Sequence, residues 1–164
     1  MNEHTPSIEL ATLDDVGELA RLRWELYAGQ EVIVNETPDA YRRRFTDFAR
    51  SAMASDMWRS WVARDGDRLV AAIWLQTVPR VPVPGKNAGP IGYLTNVYVG
   101  PEHRNAGLGA EMLDRVKSWC SEQGYSLVIV WPTERSRTFY RRGGFERLDE
   151  PLVLELGPDS PLER

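Results

Sequence analysis

The stretch Y-L-T-N-V-Y-V-G-P-E-H-R-N-A-G-L-G, residues 93–109, decides our prediction of the fold. From Tyr93 to Val99 every residue except Asn96 is aromatic, β-branched or Leu. This is the composition of a strand with both faces largely covered. Gly100 and Pro101 follow directly and end the strand.

An amphipathic helix is predicted after this turn, beginning at about Gly107. Its glycines at 107 and 109 leave the first turn without side chains, so a ligand can approach the backbone N–H groups that every helix start leaves unpaired. Helix starts of this kind bind phosphate groups. The apolar face of the helix recurs with a period near four and comprises Leu108, Met112, Leu113, Val116, Trp119 and Cys120.

Two other phosphate-binding loops do not fit this stretch. A dinucleotide fingerprint needs a third glycine at position 112, where Met stands, and a Walker loop needs G-K-[ST], which the sequence lacks. A purely structural strand-to-helix turn and a turn that binds another nucleotide remain as alternatives.

Two motifs together resemble those of the GNAT N-acetyltransferase superfamily. The first is R-x-x-G-x-G, Arg104 to Gly109, which follows a strand ending V-x-V-x-P and resembles the acyl-CoA-binding motif. The second is Y-x-x-x-G-F, Tyr140 to Phe145, whose tyrosine lies 36 residues after Arg104, an interval typical of the family. The resemblance covers nearly the whole chain, although only residues 93–145 carry specific motifs.

Length and composition predict one domain. The 164 residues, 42% of them hydrophobic, suffice for one core, so we expect a single GNAT domain over residues 1–164 with a loose tail at 158–164. The uncharged stretches are too short to span a membrane, and the N-terminus lacks the pattern of a signal peptide, which favours a cytoplasmic protein without membrane contact. The single cysteine, Cys120, excludes an intramolecular disulfide and favours a small core residue.

Charge is distributed unevenly along the chain. The net charge of −4 argues against a nucleic-acid partner. Residues 1–40 hold nine acids and two arginines, a net −7, whereas residues 133–147 hold five arginines and two glutamates, a net +3. The second segment could face an anion, although its Arg135, Arg137, Arg141 and Arg142 are equally explained as a solvated helix face.

The first half of the chain predicts a strand, two helices and a hairpin. Thr12 and Asp15 form a capping box before a helical stripe that runs to Gly29, and Thr37 with Pro38 marks a second helix start. That second helix is predicted to turn Tyr41, Phe45, Phe48 and Ala52 inward. The predicted strands are Ile8–Ala11 and the pair Trp58–Arg64 and Arg68–Val78, joined by a D-G turn.

The second half continues with elements on either side of the opening stretch. Residues 79–90 hold four prolines and form a long connection or a flap over a pocket. Tyr125–Trp131 predicts a strand buried on both faces, and Thr133–Arg142 a short helix. Phe145–Leu148 and Leu152–Leu156 can pair as a final hairpin. The resulting order is that of the GNAT fold: an α/β domain with a mixed central sheet of about seven strands flanked by about four helices.

The resemblance implies an acetyl-CoA-dependent N-acetyltransferase that acts on a primary amine of a small molecule or peptide, with acetyl-CoA as co-substrate and no metal. Tyr140 matches the tyrosine that protonates the departing thiolate, although it could instead be a core aromatic. The strand would hold the pantetheine arm and thioester, and the helix start the pyrophosphate. The implied acetyl-CoA-binding residues are Val97, Tyr98, Val99, Arg104, Asn105, Ala106, Gly107, Leu108, Gly109, Ala110, Thr133, Ser136 and Tyr140.

Three features depart from the family pattern or stay open. Thr133 stands where many members have an asparagine that contacts CoA. The strand Tyr93–Val99 has no carboxylate to accept the amine proton, so we assign no residue as general base, and an ordered water or an amine that arrives neutral could suffice. Asn96, a second candidate catalytic residue, marks either a bulge beside the acyl group or a satisfied buried amide.

The resemblance also implies where the acceptor amine binds. The acidic N-terminal third would suit a cationic amine. An acyl-CoA-binding regulatory or interaction module without turnover is the alternative function. A homodimer is typical of the family, and nothing in the sequence argues for or against one. The implied acceptor segments are Tyr27–Tyr41, Pro79–Pro90 and Leu148–Pro151, with Trp24, Tyr27 and Trp74 as candidate walls.

Overall fold

A computed structural model of the chain describes residues 5–28, 36–86, 88–147 and 153–154. Short 3-10 turns at residues 13–15, 101–103 and 134–136 precede three of the helices. No helix in the described residues is both long and apolar enough to cross a membrane. The regular elements are β1 (Ser7–Leu10), α1 (Val16–Ala28), α2 (Pro38–Met53), β2 (Trp58–Asp65), β3 (Arg68–Val78), β4 (Ile91–Val99), α3 (Leu108–Glu122), β5 (Leu127–Val130) and α4 (Arg137–Arg142).

The strands form one mixed sheet in the order β1-β2-β3-β4-β5. Neighbouring strands are antiparallel except β4 and β5, which are parallel and are connected through α3. The prediction of about seven strands is wrong for the described residues, which contain five strands beside the four predicted helices.

The two predicted strands that have no counterpart in the described residues are those of the final hairpin. Residues 145–147 form no strand because the chain turns back onto α4 after Gly144. There the N–H of Phe145 donates to the carbonyl of Tyr140, and the two rings pack with centroids 5.6 Å apart. Most of the predicted partner segment, and the predicted loose tail, lie outside the described residues.

Both predicted helix starts are confirmed. The backbone N–H and the hydroxyl of Thr12 donate to the Asp15 carboxylate at 2.8 and 3.2 Å. At α2 the Thr37 hydroxyl accepts from the N–H of Ala40, and Pro38 occupies the first helical position. The prediction that Phe48 points inward is wrong, since this side chain is 45% exposed. The buried face of α2 instead follows Phe45, Ala49 and Ala52.

The sheet separates two apolar clusters. On one face α3 and α4 pack Met112, Leu113 and Tyr140 against the sheet, and on the other α1 and α2 cover it with Leu19 and Phe45. Each large side chain that is fully buried here contributes roughly 1.5–3 kcal/mol. The central strands β2, β3 and β4 are therefore covered on both faces.

The prediction that the last described strand is buried on both faces is wrong. In β5 Leu127 is 41% exposed and the other three residues are only partly buried. β5 is less buried because it lies at the edge of the described sheet and pairs with β4 alone.

Candidate active site

The site begins where β4 and β5 separate. Ile91–Leu94 of β4 pair with Leu127–Val130 of β5, and the ladder between them ends there. Pro132, which has no N–H to donate, soon follows β5. The β5-facing edge of residues 95–99 therefore has no strand partner among the described residues. A backbone edge of this kind can pair with an extended ligand.

A β-bulge lies within the open part of β4. Thr95 pairs with Trp74 and Tyr98 with Ala72, so Asn96 and Val97 together oppose the single residue Ile73. Asn96 adopts a left-handed φ of 50°, which asparagine tolerates better than most residues. The amide oxygen of its side chain accepts from Nη1 of Arg23 at 2.9 Å. Asn96 thus lies at a bulge and its amide oxygen is hydrogen-bonded, so each of the two predicted alternatives is met in part. Its catalytic role remains a prediction.

The turn into α3 leaves backbone N–H groups open. Gly107 occupies the N-cap position with a φ of 85°, Asn105 has a φ of 62°, and no side chain caps the helix. A Cβ on Gly109 would lie 3.3 Å from Cγ2 of Val99 and 3.4 Å from the Phe139 ring. The absence of that Cβ lets α3 begin against both β4 and α4.

Most residues of the predicted phosphate turn face solvent. Residues 104–107 and Ala110 are exposed, whereas Leu108 is buried in the core and offers only its backbone. The Arg104 Nε donates to the carbonyl oxygen of Val99 at 2.9 Å, which fixes the arginine beside the end of β4. The turn therefore presents open N–H groups with a cation beside them.

The side chain of Tyr98 points away from this opening. It is buried against α1 and α2, and its hydroxyl donates to Glu25 at 3.3 Å. Burial is the main cause that raises the pKa of Tyr98 above its ordinary value, with the Glu25 charge second. The guanidinium of Arg104 nevertheless lies 5.8 Å from the centre of the Tyr98 ring, so this side chain contacts the arginine of the predicted phosphate turn.

Tyr140 lies on α4, packed between two phenylalanines. Its ring centroid is 5.0 Å from that of Phe139 and 5.6 Å from that of Phe145. Burial, with a smaller contribution from Tyr93, raises the pKa of Tyr140 to about 12. Gly143 permits this close packing of α4, because a Cβ there would lie 2.6 Å from Cδ2 of Leu113. Val97 and Val99 pack against the same cluster.

The residues before α4 make only local contacts. The Thr133 hydroxyl donates to Oγ of Ser136 at 3.1 Å, and the Ser136 hydroxyl donates to the Thr133 carbonyl at 3.0 Å. The four arginines of this segment are exposed, and Arg137 pairs with Glu134 at 3.1 Å. In this structure these arginines therefore form a solvated helix face.

A cavity of about 740 Å³ lies on the opposite side of β4, between α1, α2 and the sheet. Trp24, Tyr27 and Trp74 line it, as the sequence predicted for the acceptor walls. Tyr93 links the two regions, because it lines the cavity and also stands close enough to affect the pKa of Tyr140. The described residues that line it are Arg23, Trp24, Tyr27, Ala28, Glu36, Tyr41, Arg44, Phe45, Phe48, Trp58, Trp74, Tyr93, Thr95 and Asn96.

The described lining of this cavity differs from two expectations for the acceptor region. Described residues of 79–90 are not part of it. Of the acidic residues of the N-terminal third, Glu36 lines the cavity but pairs with Arg44, whereas Glu18 and Glu25 pair with Arg21 at 2.7 and 2.6 Å outside the described lining. The expected segment 148–151 lies outside the described residues.

Sequence reasoning missed several lining residues. The signal for Arg23 was its spacing of four from Tyr27, which places both on one helix face. Phe45 and Phe48 of α2 were predicted as core residues only, whereas Tyr41 lies at the end of the predicted acceptor segment Tyr27–Tyr41.

Neither a metal site nor an open carboxylate is evident in the described part of the site. No group of three or more His, Cys, Asp or Glu there could hold a metal ion. Glu36, the only carboxylate in the described lining, is bound by Arg44 at 2.6 Å, an interaction that lowers the Glu36 pKa. His103 lies 3.9 Å from Asp65, at the turn between β2 and β3.

The chain is similar in sequence to curated proteins. An amino-acid acetyltransferase of Pseudomonas putida is 30% identical over 142 residues, which cover 84% of this chain but 28% of that protein. The chain thus spans little more than a quarter of the length of this curated relative.

Two solved structures share the fold. A GCN5-related N-acetyltransferase from Ralstonia eutropha superposes with a TM-score of 0.74 at 25% identity, over 93% of this chain and 99% of that one. A predicted acetyltransferase from Clostridium acetobutylicum, solved with acetyl-CoA, gives 0.77 at 22% identity, over 92% and 96%. The sequence model of the acetyltransferase (GNAT) domain matches residues 17–148, most of the chain. The chain therefore belongs to the GNAT family of N-acetyltransferases.

Proposed function

We propose that this protein transfers the acetyl group of acetyl-CoA to a primary amine of a small molecule or peptide by direct attack, with Tyr140 as general acid. One observation carries the proposal. The open edge of β4, the uncapped start of α3 and the buried Tyr140 are in mutual contact through Val99, Gly109 and Phe139.

The open edge and the helix start suit the two ends of the CoA arm. Backbone groups of Val97 and Val99 would bond the pantetheine amides and hold the thioester oxygen. The N–H groups of residues 105–110 would bind the pyrophosphate, with the positive end of the α3 dipole and Arg104 adding charge. Ser136 and Thr133 lie near the path to α4, and their hydroxyls can exchange their mutual hydrogen bond for one to CoA.

The chemistry requires one bond to form and one to break. The amine nitrogen attacks the thioester carbonyl carbon, the carbon–sulfur bond breaks, and the sulfur takes the Tyr140 proton. The tyrosine regains a proton from the nitrogen, directly or through water. No described carboxylate of the cavity is open to serve as base, so we propose that the amine arrives neutral.

The raised pKa of Tyr140 lies well above that of a free thiol, which is about 8.5. Burial also raises the pKa of the Cys120 thiol, to about 11, so apolar surroundings in this protein act on a thiol in the same direction as on a phenol. A CoA sulfur enclosed beside Tyr140 would have its pKa raised for the same reason. The difference between the two pKa values is then smaller than for a free thiol, which favours the proton transfer.

The test is release of CoA thiol from acetyl-CoA across a panel of primary amines. We expect turnover, and we expect Tyr140→Phe to lower kcat by about 10²–10⁴-fold with little change in the KM for acetyl-CoA. Tyr125→Phe is the matched control, since that hydroxyl bonds Thr77 away from the site. Unchanged turnover in Tyr140→Phe would remove the acid role. Tight acetyl-CoA binding with no turnover on any amine would indicate a binding module instead.

A further inference from the structure

The cavity beside β4 has an aromatic wall. Eight of the fourteen described residues that line it are Trp, Tyr or Phe. Several meet edge to face, such as Phe45 with Trp74 at 6.1 Å and Phe48 with Trp58 at 5.4 Å. Such edges and faces accommodate another planar ring, and a volume of about 740 Å³ is ample for one.

The described residues that line this cavity carry a net positive charge. Of the three charged residues in the described lining, Glu36 and Arg44 neutralise each other at 2.6 Å. Arg23 has no carboxylate within 4.0 Å among the described residues, and its bonded partner is the neutral amide of Asn96. A guanidinium has five N–H donors in a planar fork that matches a carboxylate, so Arg23 keeps donors for an anionic group.

The same cavity disfavours a ligand with several positive charges. Aromatic faces attract cations, but the guanidinium of Arg23 already lies 4.6 Å from the ring centre of Tyr27, and that of Arg44 lies 5.3 Å from that of Tyr41. A polyamine or an aminosugar would meet these charges without an open described carboxylate to offset the repulsion.

We propose that the acceptor is an aromatic amino acid or a similar aromatic amine with an adjacent carboxylate, its ring in the aromatic cavity and its carboxylate on Arg23. Asn96 fixes Arg23 at the β4 bulge, next to the strand that would hold the thioester. A carboxylate bound there brings a neighbouring amine close to that strand. This inference rests on the proposed acetyl transfer and names its substrate class.

The experiment compares tryptophan and phenylalanine with their decarboxylated counterparts, tryptamine and phenethylamine, and with spermidine. The expected kcat/KM for each amino acid exceeds that for its decarboxylated partner by at least about tenfold, since bonds to a charged group contribute roughly 1.5–3 kcal/mol. Arg23→Gln should abolish this ratio, and Arg43→Gln, an exposed arginine of α2 outside the cavity, should preserve it. Equal or better use of the decarboxylated amines, or a preference for spermidine, would overturn the inference.

A binding experiment tests the proposed ligand class separately from the proposed acetyl transfer. N-acetyltryptophan should raise the melting temperature of the CoA-saturated protein and of Arg43→Gln, whereas N-acetyltryptamine should do so less. Arg23→Gln should remove the difference between the two products. If this pattern appears without thiol release, acetyl transfer fails and the ligand class stands. If spermidine supports turnover while neither product shifts the melting temperature, the ligand class fails and acetyl transfer stands.

Discussion

The two sides of β4 use different parts of the chain. On the side of α3 and α4, which we call the donor side, exposed backbone and missing side chains define the site, at Gly107, Gly109 and residues 95–99. On the side of α1 and α2, which we call the acceptor side, eight aromatic rings and three charged groups define the cavity. One strand serves both, and Asn96 lies at its bulge.

This difference explains why a short sequence motif predicts the donor side, whereas no short motif predicts the acceptor side. Backbone exposure requires glycine at fixed positions, so the donor side tolerates few residue types. An aromatic wall requires only volume and apolar surface, which many combinations of side chains supply. Substitutions on the two sides should therefore separate the affinity for acetyl-CoA from that for the amine.

The largest expected effect comes from adding a side chain to the donor side. In Gly109→Val the Cβ alone would lie 3.3 Å from Val99, and the added methyl groups would crowd β4 and Phe139. Overpacking of this kind costs about 1–3 kcal/mol of folding free energy. If the start of α3 shifts to relieve it, its N–H groups lose their position for the pyrophosphate, and a cost of the same size would lower the acetyl-CoA affinity measured by calorimetry by roughly 5- to 150-fold. Gly17→Ala, where the added Cβ meets nothing within 4 Å, is the control. Unchanged affinity in Gly109→Val would mean that acetyl-CoA binds elsewhere.

Titration of Tyr140 provides the next test, because it belongs to the packed part of the donor side. Its pKa of about 12 in the folded protein lies above the ordinary value near 10. Between pH 10 and 12 the unfolded chain loses this proton first, so the free energy of unfolding falls as pH rises. Two pKa units correspond to about 2.7 kcal/mol.

Urea unfolding at several pH values measures this loss, and Tyr140→Phe should remove it while leaving the contributions of Cys120, Tyr98 and Tyr41, whose pKa values burial also raises. Parallel curves for the two proteins from pH 10 to 12 would contradict the burial of this hydroxyl.

Sequence patterns predicted most of the donor side and of the fold. The strand before Gly100, the helix after Gly107 and both helix starts with their caps were predicted close to their observed positions because each has a strong local cause. The predicted burial of β5 on both faces failed, since an apolar run does not reveal whether a strand lies inside a sheet or at its edge.

The acceptor side was predicted only in outline. The sequence predicted three of its lining residues, Trp24, Tyr27 and Trp74. The acidic composition of the N-terminal third, however, suggested a cavity suited to a cationic amine. Composition does not show pairing, and Arg21 and Arg64 bind the nearby carboxylates in ion pairs outside the lining. The charge of Arg23 follows from tertiary contacts between α1 and the bulge in β4, which no local pattern contains.

Asn96 joins the two sides, and two substitutions separate its roles. Asn96→Gly accepts the left-handed φ of 50° but loses the bond from Arg23, whereas Asn96→Ala loses the bond and strains the backbone as well. We expect the free energy of unfolding to fall by about 1 kcal/mol for glycine and about 2 kcal/mol for alanine in urea unfolding. Equal losses for both would show that the bulge does not depend on the conformational tolerance of this residue.

The smallest expected effect tests whether the acceptor side acts independently. Tyr27 is 36% exposed and its ring lies under Arg23, so Tyr27→Leu removes a cation–π contact with little loss of packing. Such a contact contributes about 0.5–1 kcal/mol, and a less firmly held Arg23 should raise the KM for the amine by roughly two- to fivefold. The KM for acetyl-CoA, measured in the same assay, should stay constant because the donor side is built from other residues. A parallel rise in both KM values would show that the two sides of β4 are coupled, since binding on one would then depend on a side chain that only the other contains.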